Sequence, residues 1–224
     1  MSLLFDWPRS SNWKPLSGKF TLAPIGHISQ SPYTGSLKAI SLTQIWKADF
    51  AFNNHSLADG IDIQGFLEGL EGSANTVRLY DPWRVNPLLL STAISGFDDG
   101  TLFDDGTGFT AGWTLAVLNA AAKGSAYVSI SGLPVSQACF KRGDLIGINE
   151  CLYQIRSGVT SNAAGQAMLW IQPGLRAGVA AGDVVNSYYP TVVMRLASPL
   201  DATINRDPVS TSAFSVSFIE DIQT

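Results

Sequence analysis

Residues 140–155 read FKRGDLIGINECLYQI, and the parsing of this stretch decides the fold. Arg142-Gly143-Asp144 has turn chemistry: glycine reaches left-handed backbone without steric cost, and aspartate bonds its own backbone. The run after it predicts a strand, Asn149-Glu150 a second turn, and CLYQI a second strand. The same rhythm continues outward. Downstream, SNAAGQAMLWIQPGLRAGVAAGD (161–183) gives a turn, a strand that Pro173 breaks, and a loop ending at Gly182-Asp183. Upstream lie GWTLAVL (112–118) and SAYVSISGL (125–133). Toward the C-terminus come DVVNS (183–187), TVVMRLAS (191–198) and AFSVSFIEDI (213–222). Short β runs repeating about every ten residues predict an all-β barrel or sandwich.

Helical signal is confined to GIDIQGFLEGLEG (60–72). Ile63, Phe66, Leu67 and Leu70 fall at i, i+3, i+4 and i+7, one apolar stripe, which predicts a helix over about 60–71. Asp59 is the expected N-cap and Gly72 the stop. A strand follows at 75–82 (NTVRLYDP), and KAISLTQIWKADFAF (38–52) reads as one or two strands. Residues 1–35 carry Pro8, Pro15, Pro24 and Pro32, which exclude long central strands. An extended arm or edge strands are expected there, packed on something else, often another subunit.

Composition narrows the functional classes. Hydrophobic residues make up 46% of the 224 and charged ones 14%, well below the roughly 25% of ordinary soluble chains, so subunit neighbours are expected to cover some surface. The net charge is −4 and the densest basic pair is Lys141-Arg142, which leaves no nucleic-acid footprint. Cys139 and Cys151 read as free buried thiols. With only His27 and His55 beside them, no zinc site assembles at ligand spacing. The N-terminus lacks a basic and an apolar region of signal-peptide type. No apolar run reaches the 18 or so residues that cross a bilayer, so a protein made in the cytoplasm with no membrane insertion is expected.

Catalytic constellations are missing too. Gly72-Ser73 and Gly124-Ser125 do not complete a nucleophile elbow. Glu68 and Glu71 read as a solvated helix face, and no phosphate-binding glycine loop occurs. The expectation is a non-enzyme without catalytic, metal or cofactor residues. The remaining candidate is FDDGTLFDDGTGF (97–109). Asp98, Asp99, Asp104 and Asp105 lack the alternation and final glutamate of a calcium loop. Asp-Gly twice between apolar residues reads as two tight turns or an exposed loop, with a weak cation site on these aspartates as the other reading. Deleting Asp98 to Gly106 is expected to move the melting temperature by only a few degrees, measurable by thermal denaturation.

Two blocks of the chain resemble one family. From Trp46 to Pro82, a Trp-bearing strand precedes IQGFLEGLEGSANTVRLYDP, with Phe66, Leu67, Leu70, Gly72, Asn75, Leu79 and Asp81 at the matching places. From Pro134 to Leu196, Arg142, Gly143, Asp144, Tyr153, Gly165, Pro173, Leu175, Arg176, Gly182, Asp183, Pro190, Arg195 and Leu196 carry the second match. The pattern is similar to that of tail-tip proteins of long-tailed phages and prophages, of the distal tail or minor tail type. The blocks span about half the chain. Asn149-Glu150 departs from the family's usual glycine-containing turn, and the doubled FDDGT is not explained.

The resemblance implies a structural protein of the virion tail, assembled in the host cytoplasm. It implies a ring, commonly hexameric, that contacts the tail tube, the tail-tip hub and tape-measure-type proteins. It implies a ring-forming β domain over 1–94 with the helix, an inserted small β-barrel domain over 95–186, and C-terminal strands over 187–224 returning to the ring domain. A competing reading is a β-sandwich module that binds host-surface glycans, with Trp7, Trp13, Trp83, Trp113 and Trp170 as stacking surfaces. Stoichiometry separates them, because such a module works as a monomer.

Overall fold

The computed structural model describes residues 2–9, 13–30, 32–53, 56–90, 93–95, 109–111, 113–198 and 213–222. Among them the chain is mainly β with one helix. The order is β1 (Leu4–Asp6), β2 (Ser17–Gln30), β3 (Leu37–Phe52), α1 (Leu57–Gly69), β4 (Thr76–Tyr80), β5 (Ala93–Ser95), β6 (Phe109–Ala111), β7 (Leu115–Val117) and β8 (Tyr127–Ser131). Then come β9 (Ala138–Phe140), β10 (Leu145–Ile148), β11 (Cys151–Ile155), β12 (Val159–Thr160), β13 (Ala167–Gln172), β14 (Val184–Asn186), β15 (Thr191–Leu196) and β16 (Phe214–Glu220). The chain forms two compact units, Met1–Pro82 with Val192–Thr224, and Trp83–Thr191.

The first unit is a six-stranded sheet in the order β1-β4-β15-β16-β3-β2. Strands β1 and β4 run parallel, with Phe5 opposite Val77, while β15, β16, β3 and β2 pair antiparallel in turn. Strict alternation of burial along β15 and most of β16 marks a sheet with one covered face. Trp46, Phe50, Phe52, Val216 and Phe218 lie on that face, and α1 turns Ile63 and Leu67 inward, with buried Leu70 as its C-cap.

Two expectations change here. The helix starts earlier than Asp59: Ser56 is the N-cap, its Oγ accepting the Asp59 N–H at 3.2 Å and donating to Asp59 Oδ2 at 2.6 Å. The serine satisfies one of the helix's orphan donors, so Asp59 sits inside the first turn, its carboxylate accepting the Ser56 hydroxyl. The helix ends at Gly69, and Glu71 and Gly72 turn the chain with φ of 49° and 66°. Ser56→Ala is expected to cost about 1 kcal/mol in a denaturant titration. The N-terminal arm, secondly, packs on its own unit: Trp7 and Trp13 are buried among Phe50, Phe66 and Phe218. Apolar area on the open face of a single sheet has to be covered, and the arm's two indoles do so.

The second unit holds a closed barrel in the order β10-β11-β13-β8-β7-β14. The opening stretch folds as read. Arg142 and Gly143 form the turn, and Asn149-Glu150 joins β10 to β11 with φ of 49° and 63°. Two positive φ values are the signature of the tight hairpin turn whose twist suits the strands. Leu115, Val128, Ile130, Ile146, Leu169 and Ile171 fill the interior. Strand β13 ends at Gln172, just before Pro173. Short pairs β9–β12 and β5–β6 complete the unit. The doubled FDDGT falls between β5 and β6, and the reading of its aspartates lies outside the described residues.

Candidate functional site

The first unit ends in a long edge. Strand β2 pairs with β3 along its whole length, Ser17 opposite Ala51 to Gln30 opposite Leu37, with an irregularity at Ile25/Gly26. On its other side β3 pairs with β16 only from Lys47 to Phe52. Beyond Lys47 the two strands run on as a ribbon with no third strand among the described residues. A two-stranded ribbon is marginal alone, and an open edge is a template for another chain.

A buried carboxylate closes the last place where β16 meets this ribbon. Glu220 Oε2 accepts the Trp46 backbone N–H at 2.9 Å. Glu220→Ala leaves that buried donor without its acceptor, an expected loss of about 1–3 kcal/mol by chemical denaturation, while Glu220→Gln keeps a carbonyl oxygen there and loses less.

Several residues that carry the resemblance hold the first unit together. Asn75 Oδ1 accepts the Leu3 N–H at 2.9 Å, and its Nδ2 donates to the Gly69 carbonyl at 3.0 Å, tying the arm to the helix end. Arg195 bonds the Ser73 carbonyl at 2.8 Å and reaches both Asp221 carboxylate oxygens at 3.0 Å.

On the second unit, an open cleft of about 480 Å³ lies between the Arg142-Gly143 turn and the outer faces of β11 and β13. Gln172 Nε2 donates to Gln154 Oε1 at 2.8 Å across those strands, and Arg142 Nε donates to the Arg156 carbonyl at 3.1 Å. Of the five tryptophans named as stacking surfaces, Trp7 and Trp13 are buried and Trp113 is partly buried against the barrel core, whereas Trp83 and Trp170 are substantially exposed. Cys139 is buried and Cys151 half-buried, and the two are not joined in a disulfide. Glu68 is exposed on α1 and bonded by Gln64. His55 lies outside the described residues.

Among the described residues two titrating groups are shifted. Burial in the barrel pushes the Tyr153 phenol well above its ordinary value of 10.0, with its oxygen accepting the Arg176 N–H at 3.0 Å. A folded pKa above the unfolded one means stability that is complete below pH 10 and falls as pH rises beyond it. Tyr153→Phe is expected to weaken the alkaline slope of unfolding free energy, read by denaturant titrations across that range. The Ala180 N–H and Asn149 side chain hold the Asp183 carboxyl below its usual range.

No known protein family and no curated protein matches this chain. Among the described residues no helix is long and apolar enough to cross a membrane.

Proposed function

We propose that this protein is a structural subunit of a phage or prophage tail tip, whose copies close into a ring, six in the simplest case, joining the tail tube to the tip and fibres. The observation that carries the reading is the β2–β3 ribbon, which continues past its last partner strand and offers backbone groups to a neighbour. A ring needs such a heterologous contact, one surface of a copy meeting a different surface of the next. The sequence resemblance points the same way and names the neighbours: the tube, the tip hub and a tape-measure-type protein.

Light scattering of the purified chain, alone and with tail-tube subunits, tests this. A closed ring of several copies, indifferent to chelator, supports the reading. A chain that stays monomeric in both mixtures overturns it. Replacing residues 26–41 by a short turn is expected to leave a folded monomer and abolish the ring, because it removes the ribbon and spares the β16-paired part of β3.

A further inference from the structure

We infer that the outer face of the barrel at β8, β13 and β11 binds an acidic saccharide, a sugar carrying a carboxylate. The inference stands on the second unit alone and does not depend on ring formation. Register places its parts side by side. Trp170 faces Tyr127 across β8 and β13, with ring centroids 5.7 Å apart and planes at 59°. The Arg156 N–H donates to the Trp170 carbonyl at 2.8 Å, so Arg156 continues the same cross-strand row on the β11 side. Gln154 and Gln172 form the neighbouring row. Side chains at alternate positions share a face, so Gln154 and Arg156 project together from the β11 side, and Trp170 and Gln172 from β13.

Each part has the chemistry of one piece of such a ligand. Tyr127 and Trp170 are 47% and 45% exposed, and the C–H face of a pyranose packs on rings of this kind. The Gln172–Gln154 bond uses one donor and one acceptor, which leaves the Gln154 amide N–H groups and the Gln172 carbonyl oxygen facing the cleft for a sugar hydroxyl. Arg142 and Arg156 line the cleft with exposed guanidinium groups that make no ion pair among the described residues. Half-buried Arg84 holds the turn beside them, its Nη1 donating to the Gly143 carbonyl at 3.2 Å. The Asp144 carboxylate next to Arg142 makes no ion pair with it among the described residues: it is buried and accepts the Lys141 backbone N–H at 2.7 Å. A planar guanidinium fork matches a carboxylate. In a chain of net charge −4, this is cationic and aromatic surface together.

Titration calorimetry on the full chain tests the inference, with galacturonate and hyaluronan oligosaccharides as acidic probes, a neutral maltooligosaccharide of equal length, and inorganic phosphate. At least one acidic probe is expected to saturate the protein, with the neutral sugar and phosphate each about tenfold weaker or more. Arg156→Gln and Trp170→Ala are each expected to weaken the acidic probe by about tenfold, with an unchanged melting curve, since both side chains are exposed. Should Trp170→Ala alter the fold, Tyr127→Ala and Arg142→Gln give the same reading. Failure of both acidic probes at millimolar concentration overturns the inference. So does equal affinity for the neutral sugar, phosphate binding as tightly as the sugar acid, or wild-type affinity in the folded variants.

Discussion

Replacing Gly132 by alanine is expected to lower the unfolding free energy by about 3–5 kcal/mol, a large share of what holds a domain of this size together. Gly132 follows β8 with φ of 89°, and a Cβ built there meets the Thr114 carbonyl oxygen at 2.2 Å and its carbon at 3.2 Å. Both are backbone atoms at the start of β7, which pairs with β8 through Ala116 and Ser131. Neither can step aside as a side chain does, so relief means moving β7 away from β8 or closing the barrel with a gap. Left-handed backbone adds about 1–2 kcal/mol for a residue with a Cβ. Gly124 separates the two causes. Its φ is 87°, but a Cβ there meets nothing within 4 Å. Gly124→Ala therefore carries the conformational cost alone, about 1–2 kcal/mol. Thermal and denaturant unfolding of the two variants give the clash by difference; equal losses would mean that β7 and β8 separate freely at this point.

How far the residues announced this fold depends on whether the signal was local. The Asn149-Glu150 hairpin, the turn at Arg142-Gly143 and the end of β13 before Pro173 are set by a few adjacent residues, and reading along the chain finds them. The apolar stripe of α1 is local as well, but its start was misplaced, because Ser56 and Asp59 are both good caps and only the pair together shows which one leads. Burial of Trp7 and Trp13 was not legible. A Pro-rich stretch without periodicity says nothing about what covers it, and here the cover is formed by strands more than thirty residues downstream. The candidate saccharide face was hidden for the same reason. Trp170 stood as one tryptophan among five until the register set it between Tyr127 and Arg156, over forty residues away on one side and fourteen on the other. Composition could supply the residue types, and only pairing could make them neighbours.

Trp7→Ala is expected to be the most damaging substitution in the first unit, costing about 3–5 kcal/mol. The ring of Trp7, 3% exposed, lies 5.2 Å from Trp13, 5.6 Å from Phe218, 5.7 Å from Phe66, 5.9 Å from Phe50 and 6.2 Å from Phe52, centroid to centroid. These partners come from the arm, β3, α1 and β16, so a single side chain fills the place where the arm, the helix and the sheet meet. Truncation removes the transfer free energy of an indole and leaves a cavity whose walls belong to rigid elements that cannot collapse onto it. The arm has other anchors. The Trp7 N–H donates to the Arg78 carbonyl at 3.1 Å, extending the β1–β4 pairing, and Trp13 Nε1 donates to Asp62 at 3.2 Å. Because these bonds sit beside the cavity, their loss is coupled to it and does not simply add. The variant is therefore expected to show two effects: a lower denaturation midpoint, and proteolytic cleavage between Pro8 and Leu16 under conditions that leave the parent intact. Tyr33→Ala, at a position 96% exposed, is the control and is expected to stay within about 0.5 kcal/mol of the parent. A Trp7→Ala loss below about 1 kcal/mol, with the arm still resistant to protease, would mean that the strand pairs alone hold the arm and that the aromatic cluster adds little.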